Sequence, residues 1–203
     1  MKKTLFAALA VLCVAVLVPQ TLEAGVGIKG GMALSKFAMK PADVFPFPLV
    51  NLPAPVGGVY FDLGLGPLSF EADVFYARTG MKGTFEGATV EYRLDYIQVP
   101  VLLKIKVIPA GPLRPFISAG GYGAYLLSAK GVMTGVPSED IGDMFEKTDY
   151  GVVGGVGVEF KLPGLKLTAE GRYNFGLANI GKDAGEGESA KNRSIMALVG
   201  IGF

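Results

Sequence analysis

Eight ionisable side chains in this 203-residue chain fall on the polar phase of predicted strands: Lys29, Asp62, Glu71, Asp73, Lys104, Glu159, Glu170 and Arg172. Carboxylates held beside ammonium and guanidinium groups have two uses. They can pass a proton or gate an ion path, or they can neutralise one another so that an enclosed interior tolerates charge, because an unpaired buried charge is very costly. Asp62, Glu71 and Asp73 belong to one predicted hairpin, and Lys29 and Lys104 lie on the strands that flank it. An acidic cluster between two basic neighbours suits neutralisation, so the sequence predicts a lumen ion-pair network rather than a gate or a proton site.

Other chemistry finds little support. The chain has no histidine, which removes the commonest metal ligand and the usual partner of a nucleophilic serine or cysteine. Its single cysteine is Cys13, inside a segment read below as a leader. Nineteen basic residues against 18 acidic ones leave no excess for a phosphate-binding surface, so no nucleic acid is expected. Glu139, Asp140, Asp143, Glu146 and Asp149 could touch a Ca²⁺ ion, but their spacing is not that of an EF-hand and a solvated loop is the expectation. Gly25-Val26-Gly27-Ile28-Lys29-Gly30 has the spacing of a dinucleotide fingerprint without a preceding strand or a following helix, so it reads as a glycine-rich first strand. No catalytic residue, cofactor or metal site is assigned, and the expectation is a protein that is not an enzyme.

The elements that must position these charges are strands. From Leu165 to Leu177 alternate residues are apolar, with Lys166, Thr168, Glu170, Arg172 and Asn174 on the other phase, and 150–162 and 191–203 repeat the pattern. Period two marks a β-strand with one apolar face. Further strands are read near 25–37, 57–66, 68–80, 89–107 and 114–130, making eight. Tight turns are expected at Gly66-Pro67, Pro109 to Leu113 and Pro163-Gly164, and longer connections near 38–56, 81–88, 131–148 and 178–191. Pro100, inside a strand, predicts a bulge. Residues 1–24 read as a cleavable signal peptide: Lys2 and Lys3, an apolar stretch from Leu5 to Val18, and a cut after Ala24. The mature segment has no apolar run free of Pro or Gly that could form a spanning helix. An even number of long strands, with short turns at one end and long loops at the other, predicts an all-β, eight-stranded antiparallel up-and-down transmembrane barrel over 25–203. Alternation alone leaves a soluble lipocalin-like carrier open, with the apolar face turned inward. The charged and glycine-rich polar face favours the membrane version.

Six segments resemble the small outer membrane β-barrel family labelled "porin family" or PorT-like, common in Bacteroidetes. They are Gly27-Ile28-Lys29-Gly30-Gly31, Tyr76-Ala77-Arg78-Thr79-Gly80, the specific Tyr96-Ile97-Gln98-Val99-Pro100-Val101-Leu102-Leu103-Lys104, Pro115-Phe116 leading to Gly120-Gly121, Asp149-Tyr150-Gly151 leading to Gly154-Gly155, and Arg172-Tyr173-Asn174-Phe175-Gly176-Leu177. Members often carry Asn where Ala33 stands. The resemblance implies a barrel in the bacterial outer membrane and no particular reaction. It also implies that Phe203, a terminal aromatic, is read by the barrel-assembly machinery. The remaining expectations are function through long extracellular loops or as an envelope structural or secretion-associated component, contact with outer membrane lipid, and an envelope or secretion partner. The alternative is a barrel that binds or modifies a lipid or other apolar ligand. Phe45, Phe47 and Leu49, in a proline-rich apolar stretch, are the candidate loop contact.

Overall fold

A computed structural model describes residues 22–41, 49–85, 87–182 and 187–203. The bulk of the leader and the candidate contacts Phe45 and Phe47 lie outside the described residues. The strands are β1 (Leu22–Lys40), β2 (Leu49–Leu65), β3 (Leu68–Phe85), β4 (Ala88–Lys106), β5 (Leu113–Met133), β6 (Val136–Asp140), β7 (Thr148–Leu162), β8 (Leu165–Gly176) and β9 (Ser189–Gly202). Eight of them pair antiparallel in a closed ring, β1-β2-β3-β4-β5-β7-β8-β9 and back to β1. Closure leaves the ring without an open edge, as a wall set in hydrocarbon requires. The short β6 hangs on β5 at Lys130 and Met133, above Tyr125, where β7 leaves that edge.

The apolar phase is the outer one. Val26, Ile28, Met32 and Leu34 of β1 are exposed, as are Val152 and Val156 of β7 and Ile195 and Val199 of β9. Outward aromatics gather towards the two ends of this band: Tyr76, Tyr125, Tyr150 and Tyr173 on one side, and Phe70, Phe160 and Phe203 on the other. A lipid-facing apolar band between aromatic girdles is the pattern of a transmembrane barrel. It removes the lipocalin-like alternative, whose apolar phase would line the interior. Phe203 is 72% exposed and its backbone closes the ring, donating to and accepting from Val26 near that end (2.9 and 3.2 Å for Phe203 N to Val26 O and Val26 N to Phe203 O).

Several boundaries differ from the sequence reading. β2 begins at Leu49, so Leu49 belongs to a strand and not to a loop. Pro53 and Pro55 lie inside β2, pairing with Leu34 and Met32, and the β2–β3 register shifts between Asn51 and Val56. A proline cannot donate to the ladder, and the bulge is where the missing donors are tolerated. No bulge forms at Pro100, which keeps register with Tyr122 of β5. The bulge in β4–β5 lies instead between Asp95 and Tyr96, opposite Leu127. The inward phase of β5 accordingly jumps from Leu126 to Ala129. β3 and β4 run on to Phe85 and Ala88, making a tight hairpin of what the sequence suggested as a longer 81–88 connection. Leu22, Glu23 and Ala24, which the sequence assigns to the leader, are the first residues of β1, and Glu23 holds Lys161 at 2.5 Å and Arg114 at 3.4 Å.

An apolar cluster closes the end of the barrel opposite Leu22 and Phe203. Phe37, Met81, Leu94, Tyr96, Leu126 and Ala129 point in from the walls, and Ile180, from the β8–β9 connection, is completely buried among them. Ile141 and Phe145 of the β6–β7 connection pack on the same cluster. Backbone bonds stitch the two connections together: Glu146 N donates to Ile180 O at 2.9 Å and Lys182 N to Met144 O at 3.0 Å. The mouth is therefore covered by a lid whose keystone is Ile180. Ile180→Ala should lower the unfolding free energy by about 2–5 kcal/mol, the range for an aliphatic side chain lost from a packed core. Urea titration of the refolded barrel in detergent measures this, and a change within about 0.5 kcal/mol would show that the lid does not carry that load.

Candidate functional site in the barrel lumen

Barrel closure places the inward phases of β1, β3, β4, β7 and β8 around one axis. At the level below the lid the side chains on those phases are ionic. Glu71 of β3 is the hub: it pairs with Lys29 of β1, with Lys104 of β4 at 2.5 Å and with Arg172 of β8 at 2.6 Å. Arg172 also bonds Asp73 at 2.5 Å and Glu170 at 2.7 Å, and Lys29 reaches Glu170 at 3.2 Å. Glu159 of β7 lies 3.6 Å from Lys104 and 3.9 Å from Lys106. Asp62 holds Lys166 at 2.5 Å nearer the end that carries Phe203. In the ring β3 and β8 are four strands apart, so the Arg172 bonds to Glu71 and Asp73 cross the full diameter.

The eight charges picked out by phase, Lys29, Asp62, Glu71, Asp73, Lys104, Glu159, Glu170 and Arg172, are thus all inside, and all but Asp62 join one connected network. Two partners escaped the sequence reading. Lys106 is buried beside Glu159, and Lys166 reaches in from the rim. Both sit on the inward phase of strands already recognised, and the alternation could have found them. Asp149 is a correction. The sequence places it with the solvated loop acids, yet it is the first inward residue of β7 and is buried, while Glu139, Asp140, Asp143 and Glu146 are exposed.

Space for this network comes from glycine. Gly155 and Gly157 of β7 face Arg172 and Glu170 of β8. A Cβ on Gly157 would come within 2.5 Å of the Phe116 ring, and one on Gly155 within 2.7 Å of Ser118 Oγ. The aromatic rings in turn line the cations: Lys104 Nζ lies 4.4 Å from the Phe116 centroid and Lys29 Nζ 4.6 Å from that of Tyr60. Ser118 Oγ donates to Glu170 Oε1 at 3.5 Å, but that carboxylate is already paired with Arg172 and Lys29. Among the described residues no group of three or more Cys, Asp or Glu is placed to hold a metal ion. Its chemistry is mutual neutralisation in a narrow, poorly solvated space.

Comparison with known proteins agrees with the barrel fold. The family model described as "Outer membrane protein beta-barrel domain" matches residues 19–181. The chain belongs to that family. Among solved structures it is similar to Neisserial surface protein A, with a TM-score of 0.54 and 14% identity over 90% of this chain and 97% of the other. It is also similar to the outer membrane protein OprG from Pseudomonas aeruginosa, with a TM-score of 0.50 and 12% identity over 89% and 96%. No curated protein matches. The family member described here is therefore a bacterial outer membrane protein, and its β-strands are the spanning elements.

Removing the hub tests the network. Glu71→Gln leaves three cations short of a partner and should destabilise the barrel by about 3–5 kcal/mol, as breaking a buried pair does. Glu91→Gln, which removes only the partly exposed pair with Arg93, should cost under about 1 kcal/mol. Urea unfolding of both variants in the same detergent gives the comparison, and equal losses would refute it.

Proposed function

We propose that this outer membrane barrel is a closed, non-enzymatic scaffold that works through its extracellular end, as a loop-displaying or envelope-stabilising component. The observation that carries the reading is the lumen ion-pair network crossing the full diameter between β3 and β8. With eight strands an interior is just wide enough for side chains to fill, and here the fill is cross-linked by charge. The lid around Ile180 adds a second closure above it. A lumen of this kind suits neither solute flow nor an apolar ligand, since entry of either would strip ions of their partners. The partners in this reading are outer membrane lipid around the apolar band, the assembly machinery during insertion, and an envelope or secretion partner at the loops.

Planar-bilayer recording tests closure. The purified protein should give at most small, irregular currents, whereas long-lived steps of uniform size would overturn the proposal. Assembly is tested separately at Phe203. Phe203→Ala should lower the amount inserted in cells and leave the stability of detergent-refolded protein nearly unchanged, because an exposed terminal ring makes little packing of its own. Unchanged insertion would deny Phe203 its role as a signal.

A further inference from the structure

Between the ionic network and the lid lies a small chamber lined by Thr79, Tyr96, Tyr122, Asp149, Asn174 and Asn192, among others. It leaves about 10 Å³ for the centre of a water-sized particle, which is room for a single water or a bare small ion. Its polar side chains are nearly solvent-free: Asp149 is 4% exposed, and Asn174 and Asn192 are each 5% exposed.

Two observations point to the occupant. The first is charge. In the network below, Lys29, Lys104, Lys106, Lys166 and Arg172 stand against Asp62, Glu71, Asp73, Glu159 and Glu170, and the two sets cancel. Asp149 is then one more buried carboxylate, and neither Lys nor Arg among the described residues forms a salt bridge with it. Its Oδ2 accepts from Tyr122 Oη at 3.1 Å and from Asn192 Nδ2 at 2.8 Å, both neutral donors. Arg193, on the outer face, spends its guanidinium on the carbonyls of Gly176 and Asn192 and stacks 3.5 Å from the Phe175 ring centroid. The second observation is the type of atom left over. Asp149 Oδ1, Asn174 Oδ1, Asn192 Oδ1, Thr79 Oγ1 and Tyr96 Oη, all in the lining, are buried without a hydrogen-bond partner; the first three can only accept, and the two hydroxyls can accept or donate. A water molecule has two hydrogens to give and brings no charge. A hard cation would accept lone pairs from such oxygens and cancel the carboxylate.

We infer that the chamber is a binding site for one monovalent alkali cation, with Asp149 as the charged ligand and the amide oxygens of Asn174 and Asn192 and the hydroxyl of Thr79 as neutral ones. One carboxylate selects valence one: a divalent ion would leave a net positive charge buried where the present one is negative. The absence of sulfur and imidazole suits a hard, oxygen-preferring ion. With the lid above and the network below, the ion enters as the barrel folds and acts as a structural fill of the upper lumen.

The test refolds the whole protein in detergent in sodium, potassium or choline chloride at equal ionic strength and compares melting temperatures. An alkali salt should raise the melting temperature saturably over choline, by about 3–6 °C once the ion is tenfold above its dissociation constant. Asp149→Asn should abolish the difference between salts. Crystals of the unaltered protein grown in thallium(I) acetate should show an anomalous peak beside Asp149. Equal melting in all three salts, or ordered side chains around Asp149 with no thallium peak, overturns the inference and leaves a hydrated or protonated carboxylate. Should Asp149→Asn not fold, the salt comparison and the thallium map on the unaltered chain still decide it.

Discussion

A charge inside a narrow barrel has nowhere to go. Lipid surrounds the wall and the lumen holds little water, so each ionised side chain must find its counter-charge across the interior. In this protein that requirement is met by bonds between strands that are not neighbours, above all Arg172 of β8 to Glu71 and Asp73 of β3. The planar guanidinium reaches three carboxylates at fixed angles, which a lysine could not do. Much else follows. The ring must close with β3 facing β8, the registers must bring Lys29, Glu71, Lys104 and Arg172 to one height, and the wall beside the large side chains must be glycine. A one-residue slip of any of these strands would turn its charges into lipid and its apolar residues into the lumen. The network thus specifies the register as well as filling the space.

The period-two alternation of the chain made this part legible from sequence. Where strands are regular and cross the membrane, a residue's parity gives its side of the wall, and the eight lumen charges could be placed from parity and hairpin order alone. The polar phase carries Lys106 and Lys166 with the same clarity. At the lid end parity fails, and for identifiable reasons. Pro53 and Pro55 shift β2 against β3, and the extra residue at Leu127 flips the phase of β5. Gly80, with φ near 153°, lets β3 pass so close to Tyr92 that a Cβ would meet its carbonyl oxygen. Its N–H donates to Ser35 Oγ of β1, two strands along the ring, at 3.0 Å. The lid residues Ile141, Phe145 and Ile180 come from connections with no period at all, and Asp149 sits at the junction of such a connection with β7. Only the tertiary arrangement puts these residues inside.

The irregular features are not spread evenly. The prolines of β2, Gly80 and the bulge at Leu127 all lie above the ionic level, towards the lid. Below it, β7, β8 and β9 pair without a register shift. Bulges bend strands and increase local twist. Concentrated at one end, they curve the wall so that the connections after β6 and β8 can fold over the opening. The half that is cross-linked by charge is therefore the regular half, and the half that is bent is held by apolar packing and loop backbone bonds.

That division bears on which end can change. Ion pairs across the diameter must break together, since freeing one partner strands several others, so the lower lumen should open only with the barrel as a whole. The lid is held by short connections and by side chains such as Ile180, whose packing can be altered without stranding a charge. Local opening in proteins favours segments with few cooperative partners. Remodelling of the lid end therefore has to work only against lid packing and the satisfaction of the chamber beneath it. Under the closed-scaffold proposal, the ionic level is the floor that keeps such remodelling from becoming a path through the membrane, so that a changeable end sits on a fixed wall.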